Sequence, residues 1–194
     1  GGGIFSGPYS TTNITDGTIS DNKSRLEGDG VYLWNSSKDM FYALGAPATA
    51  EFPKMNPATL NLSSDALINK NNDVYLDGTD TAINVLSKLN KVTRENPITL
   101  TPSDTTTVST TAGVVGNKLV NYFAKASALE ADMQDYFVLS SKVPADLRII
   151  QSDASNEENY LILGKRPVSL FLKFSGIDGA TDETLALTKN DVIT

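Results

Sequence analysis

The sequence predicts a mainly β protein with two helices, an α+β fold built on an antiparallel sheet, of which a β-sandwich or a jelly-roll-like domain is one form. Three observations predict it. Short runs of β-branched and aromatic residues alternate with turn residues along most of the chain. Two segments place apolar residues at helical spacing. The first 28 residues are polar, with isolated apolar positions. We therefore expect an extended polar N-terminal arm over 1–28 and one globular domain over 29–194.

The globular domain is expected to open with a β-hairpin over residues 31–44. Two β-prone runs, Val31-Tyr32-Leu33-Trp34 and Met40-Phe41-Tyr42-Ala43-Leu44, flank a five-residue polar turn. Gly45 and Pro47 end the second run, and further prolines discourage regular structure over 46–72. This region is predicted to be a long connection.

Two helices are predicted in the middle of the chain. The first covers about 80–92, begins at a cap from Thr79 or Asp80, and carries apolar residues at steps of three and four, such as Ile83, Leu86 and Leu89. The second covers about 118–133, where apolar residues recur at similar steps and alanines favour a helix.

The remainder, residues 136–188, is predicted to form C-terminal antiparallel strands. The run Val168 to Phe174 alternates apolar and mixed positions, which is typical of a strand with one buried face. Elsewhere, Gly30-Val31-Tyr32-Leu33 and Asp73-Val74-Tyr75-Leu76 share the triplet Val-Tyr-Leu. A true repeat needs further copies, and none is evident, so we interpret this match as chance similarity between strands.

The composition argues against catalysis. The chain contains no histidine and no cysteine, the side chains that carry most nucleophilic and acid–base chemistry near neutral pH. Ser20 and Lys23 fit an S-x-x-K spacing but stand in a polar segment without the companion motifs of that enzyme class. Adjacent carboxylates such as Glu157 and Glu158 point in different directions on an extended chain. We expect no catalytic residues, no cofactor and no enzyme activity.

The net charge of −7 disfavours binding to a phosphate backbone, and the basic residues are scattered. We expect no nucleic-acid partner. No apolar run approaches the length of a membrane helix, so no membrane insertion is expected either.

Oxygen ligands are dense around residues 69–80, where Asn69, Asn71, Asp73, Asp77 and Asp80 could suit Ca²⁺. Val74 stands where the EF-hand pattern requires glycine, so the favoured interpretation is that these side chains stabilise turns and caps, and no metal ligand is assigned. A structural calcium site stays open at this point.

The aromatic residues of the predicted hairpin are the candidate binding residues, namely Tyr32, Trp34, Phe41 and Tyr42. Alternation along a strand places Tyr32 and Trp34 on one face, with Val31 and Leu33 on the other. A clustered aromatic face serves either a protein contact or a sugar ligand, and burial in a core or subunit contact is the more common outcome.

In texture the chain resembles virion proteins of tailed phages, such as capsid decoration proteins and head-fibre or tail-fibre subunits. The likeness rests on the absence of Cys and His, the abundance of Asn and Thr, a Gly-rich start, and the phrase from Asp73 to Thr81. The resemblance implies a non-enzymatic, capsid-associated structural protein of the virion, a homo-oligomer whose partners are its own copies and other virion proteins. The alternative is a secreted or surface adhesin, a carbohydrate-binding module located outside the cell.

Overall fold

A computed structural model of the protein describes residues 2–35, 56–78, 81, 83–109, 117–122, 133–151, 159–165, 170–171 and 184–185. These residues form thirteen strands and one short 3-10 helix, Met133–Tyr136. The strands are β1 Ile4–Ser6, β2 Thr11–Ile19, β3 Val31–Leu33, β4 Thr59–Ile68, β5 Asp73–Leu76, β6 Ile83–Leu89, β7 Ile98–Pro102, β8 Lys118–Tyr122, β9 Phe137–Leu139, β10 Leu147–Gln151, β11 Asn159–Lys165, β12 Leu170–Phe171 and β13 Thr184–Leu185. The mainly β character predicted from the sequence is confirmed.

The strands are arranged in two large sheets and one small one. Sheet A has the order β1-β3-β5-β7-β9 and is parallel throughout. Sheet B has the order β10-β11-β8-β6-β4-β2, with parallel pairing from β2 to β8 and antiparallel pairing of β11 with both neighbours. Strands β12 and β13 form an antiparallel pair.

From β1 to β10, successive strands of the chain alternate between the two sheets, so each turn of the chain adds one strand to sheet A and one to sheet B. Parallel neighbours cannot be joined by a tight turn and need a crossover connection. Here every crossover between neighbours of one sheet contains a strand of the other sheet. The result is a parallel β-solenoid, in which each turn packs on the turn before it.

The Val-Tyr-Leu match marks equivalent positions in two adjacent turns. Strands β3 and β5 pair in parallel with Val31 opposite Val74 and Tyr32 opposite Tyr75. The interpretation of this match as chance similarity is therefore wrong in structural terms. The other turns hide the repeat, because their equivalent residues are unequally spaced and differ in type, as Ile4, Leu100 and Leu139 show.

One hydrophobic core lies between the inner faces of sheets A and B. Residues of equivalent register fill it in rows, and burying each such Val, Ile or Leu side chain contributes about 1.5–3 kcal/mol. The central rows are fully buried: Val31, Val74 and Leu100 in sheet A, and Leu60, Ile83, Val120 and Leu161 in sheet B.

The helix predicted over 80–92 is wrong, because residues 83–89 form strand β6. Ile83, Val85 and Leu89 lie at odd positions and point inward, whereas Leu86 lies at an even position of the same strand and is exposed. The outward Leu86 lies three residues after Ile83 and three before Leu89, so an apolar residue on the exposed face of the strand imitates helical spacing.

The helix predicted over 118–133 is wrong at its beginning, where Lys118–Tyr122 is strand β8 between β6 and β11. Residues 123–132 lie outside the described part of the chain. Met133 begins the short 3-10 helix. Within the described ranges, no helix is long and apolar enough to span a membrane.

Residues 1–28 are not a separate arm, since β1 and β2 form the first turn of the solenoid and pair with β3 and β4. This segment buries few apolar side chains, and hydrogen bonds help to hold it in place. Asn22, for example, donates hydrogen bonds to the buried Asn72. The hairpin over 31–44 is also wrong at β3, whose two edges are occupied by the parallel strands β1 and β5. Its second half, 40–44, lies outside the described residues.

The C-terminal strands occur near their predicted positions, but their pairing is only partly antiparallel. Strand β9 joins sheet A in parallel with β7, whereas β10 and β11 pair antiparallel. The parallel pairing of most strands differs from the antiparallel sheet that the alternating runs predict. Alternation reports which face of a strand is buried and does not report the direction of its neighbour.

Candidate binding face

The outer face of sheet A carries a row of aromatic side chains on consecutive turns. Phe5, Tyr32 and Tyr75 occupy equivalent register positions on β1, β3 and β5. Their ring centroids lie 5.5 Å apart for Phe5 and Tyr32 and 4.8 Å apart for Tyr32 and Tyr75. Trp34 joins them, with its ring 5.8 Å from that of Phe5. We call these four residues the aromatic row.

The structure places Tyr32 and Trp34 on the same, partly exposed face and buries Val31 and Leu33 on the opposite face, in the core. Phe5 is 57% exposed, so the row presents apolar surface to solvent at the end of the solenoid. The other two candidates from the sequence, Phe41 and Tyr42, lie outside the described residues.

Two members of the aromatic row were not among the candidate binding residues predicted from the sequence. Phe5 lies in the segment that we interpreted as an arm, where an isolated aromatic residue has no evident partner. Tyr75 belongs to the second Val-Tyr-Leu triplet, so treating the two triplets as equivalent turns would have identified it. The signal was present in the sequence at that position.

A polar cavity of about 310 Å³ lies on the same side of the molecule. The outward positions of β5 and β7, Asp73 and Thr99, are neighbours in register and form part of its wall. The remaining walls come from the loop before β3, the turn before β5 and the segment after β9. The polar side chains around the cavity are Asp29, Lys70, Asn71, Asp73, Thr99, Ser140, Ser141 and Lys142.

The buried carboxylate of Asp73 holds the loop of residues 20–30 against sheet A. Its Oδ1 accepts a hydrogen bond from the backbone N–H of Asp29 at 2.6 Å, and its Oδ2 accepts one from the hydroxyl of Thr101 at 2.6 Å. Asp29 Oδ1 in turn accepts from the backbone N–H of Ser24 at 2.7 Å. Hydrogen bonds to a carboxylate are stronger than those between neutral groups. This series of hydrogen bonds therefore fixes the position of the Asp29 side chain at the cavity.

An ion pair lies at the edge of the cavity. Lys142 Nζ lies 2.6 Å from Glu27 Oε2, and this hydrogen bond is the main reason that the pKa of Lys142 is raised. Partial burial raises the pKa of Tyr75, and the negative charge of Asp77 raises it further, with a smaller effect of Glu27. Tyr75 lies two residues after the cavity residue Asp73 on the outer face of β5.

In the described residues, the possible calcium ligands form hydrogen bonds within the protein. Asn69 Oδ1 accepts from the backbone N–H of Asn71, and Asp77 Oδ2 accepts from that of Asn35. Both oxygens of Asp73 are engaged within the protein. Across the described residues, no three or more acidic side chains converge on a point that could hold a metal ion. Asp80 lies outside the described ranges.

A second candidate contact region is the end of the solenoid that β1 and β2 form. Both are edge strands, and in the described residues no further strand pairs with their outer edges. Strand β2 is nine residues long, contains neither lysine nor proline, and is mostly exposed. Natural edge strands are usually protected by such residues, by a bulge or by a covering segment. Strand β2 has a register irregularity between Ile14 and Asp16, but no described strand covers its outer edge, which makes this edge a candidate site for strand pairing.

No protein-family model, curated protein or solved structure matches this chain. The outer face of sheet A and the end of the solenoid at β1 and β2 are therefore the two regions that can indicate a function.

Proposed function

We propose that this protein is a non-enzymatic structural protein of a virion, capsid-associated as a decoration protein or fibre subunit, which acts through protein–protein contacts. The observation that carries the proposal is the open end of the solenoid at β1 and β2. A solenoid turn buries its faces only against its neighbours, so terminal turns need a cap or a partner. The lack of histidine and cysteine supports a role in assembly rather than chemistry.

The partner at this end is a second copy of the chain. Two β2 strands related by a twofold axis pair antiparallel, edge to edge, and each copy then satisfies the backbone groups of the other. Strand β2 carries a single charged residue, Asp16, which already pairs with Lys91. Repulsion between the two edges is therefore small.

Light scattering over a range of protein concentrations tests this contact. We expect a dimer, and we expect the double variant Thr11→Lys/Thr15→Lys to be monomeric, because lysines on an edge strand oppose edge-to-edge pairing. The matched control, Gln134→Lys/Ala145→Lys, adds the same charge at exposed positions away from the edge and should stay dimeric. A native monomer at all concentrations, or equal dissociation of both variants, would contradict the proposal.

The virion assignment has its own test. Mass spectrometry of purified particles from the producing culture should find this chain at a fixed ratio to the major capsid protein. Its recovery only in particle-free supernatant would contradict a structural role in the virion.

A second candidate function is that of a secreted or surface adhesin that binds carbohydrate. The observation that favours it is the exposed aromatic row beside a polar cavity. Ligand sites typically combine apolar and aromatic lining with a few convergent polar groups, and this face has both.

A further inference from the structure

We infer that the outer face of sheet A binds a neutral oligosaccharide, with one end in the cavity beside Asp29 and Lys142 and the rest along the aromatic row. This inference rests on the second candidate function and specifies its site and ligand class. It does not require the edge contact of β2, which belongs to sheet B.

The cavity has the size and the groups for a sugar. Its volume of about 310 Å³ is at the small end of the range for small-molecule sites. The carboxylate of Asp29 accepts hydrogen bonds, the ammonium group of Lys142 donates them, and the hydroxyl of Ser141 does both. A sugar ring carries several hydroxyls, each of which donates and accepts, so it can satisfy this mixed set of groups at once.

The charge of the cavity favours a neutral ligand. Asp29, Asp73 and the adjacent Glu27 contribute negative charge, while Lys142 is paired with Glu27 at 2.6 Å. Lys70 donates a hydrogen bond to the backbone carbonyl of Glu95. With Glu27, three carboxylates stand against the two ammonium groups of Lys70 and Lys142, so the binding of an acidic sugar or a phosphate is disfavoured.

The aromatic row explains why the ligand is an oligosaccharide. Strand spacing in a sheet is about 4.8 Å, so the rings of Phe5, Tyr32 and Tyr75 cover a strip about 10 Å long. Tyr75 lies two residues after the cavity residue Asp73 on β5, so the strip and the cavity share this strand. Aromatic side chains combine apolar surface with a polar tip in tyrosine, and this suits the mixed apolar and hydroxylated surface of a sugar chain.

The experiment measures binding of the full chain to a panel of immobilised neutral oligosaccharides, alongside matched oligosaccharides that contain uronic acids. The test variants are Phe5→Ala, which removes an exposed ring, and Asp29→Asn, which keeps an acceptor for the Ser24 N–H. The matched controls lie in sheet B. Leu86→Ala removes an exposed apolar side chain, and Asp65→Asn keeps the acceptor for Asn90.

We expect the native chain to bind neutral oligosaccharides, each test variant to lose about tenfold or more in affinity, and the controls to bind like the native chain. Unchanged binding by both test variants would overturn the proposed site while leaving the adhesin function standing. Binding of only the acidic panel would overturn the ligand class. No binding to either panel would overturn the adhesin function and the inference together, and a change in oligomeric state in Phe5→Ala would then assign the row to a protein contact.

Discussion

The side-chain amide of Asn61 donates a hydrogen bond from Nδ2 to Oδ1 of Asn13 at 2.7 Å, although the two residues lie 48 positions apart. The same contact recurs from Asn84 to Asn61 at 2.9 Å and from Asn121 to Asn84 at 3.0 Å. The four side chains occupy equivalent positions on β2, β4, β6 and β8. They form an asparagine ladder along the outer face of sheet B, which fixes the register of four turns.

Removal of an amide from the middle of this ladder should cost more than removal from its end. Asn84→Ala deletes two ladder hydrogen bonds, whereas Asn13→Ala deletes one at an exposed position. At about 1 kcal/mol for each bond, we expect a loss of about 2 kcal/mol for Asn84→Ala and about 1 kcal/mol for Asn13→Ala. Urea denaturation measures both values. An equal loss in the two variants would contradict a contribution from each hydrogen bond of the ladder.

Two glycines with positive φ allow the cost of backbone strain to be distinguished from the cost of a steric clash. Gly28 has φ of 69°, and a Cβ there would lie 2.8 Å from the carbonyl oxygen of Val31. Gly17 has φ of 98°, and a Cβ there would meet nothing within 4 Å. We expect Gly17→Ala to lose about 1 kcal/mol from the backbone conformation alone and Gly28→Ala to lose more, since backbone atoms must also move. Thermal unfolding should rank them in this order, and the reverse ranking would be inconsistent with the packing around Gly28.

We expect the protein to become less stable in acid, because protonation of Asp104 removes a contribution that stabilises the fold. Hydrogen bonds from the Thr107 and Thr106 hydroxyls and backbone N–H groups lower the pKa of Asp104 from 3.8 to about 2. A pKa that is lower in the folded state means that the ionised carboxylate stabilises the fold above about pH 4, and that this contribution disappears as the pH falls toward 2. Because Asp104 is partly exposed, solvent screening limits the contribution to about 1 kcal/mol.

The variant Asp104→Asn tests this effect directly. It should be less stable than the native chain at pH 5, and the difference in free energy of unfolding should shrink by pH 2. Denaturant titrations at both pH values measure it. A difference that is the same at both pH values would rule out ionisation of Asp104 as the cause.

The hydroxyl group of Tyr122 should be dispensable for stability. Its hydroxyl is buried on β8 and, among the described residues, has no hydrogen-bond partner, and burial raises its pKa. A buried polar group without a partner costs about 1–3 kcal/mol, and phenylalanine keeps the ring while removing that group. We expect Tyr122→Phe to unfold at the same temperature as the native chain or a higher one, in calorimetry. A clear destabilisation would show that the hydroxyl makes a contact that stabilises the fold.

The sequence by itself determined the β-rich class and the faces of individual strands. Alternation correctly separated buried Val31 and Leu33 from the outward Tyr32, because a side chain's face depends only on its own strand. Local patterns failed at residues 83–89, where the exposed Leu86 of a regularly alternating strand gives the apolar spacing of a helix. The signal for β1 and β2 was also weak, since their stability depends on pairing with β3 and β4 rather than on their own apolar content.

Only the tertiary structure decided which strands are neighbours. Parallel pairing joins residues that are tens of positions apart, such as Phe5 with Tyr32 and Asn61 with Asn84, and the loops between turns differ in length. No local propensity encodes that register, because the energy that selects it comes from stacking equivalent side chains of adjacent turns. The aromatic row, the asparagine ladder and the polar cavity exist only once the turns are stacked.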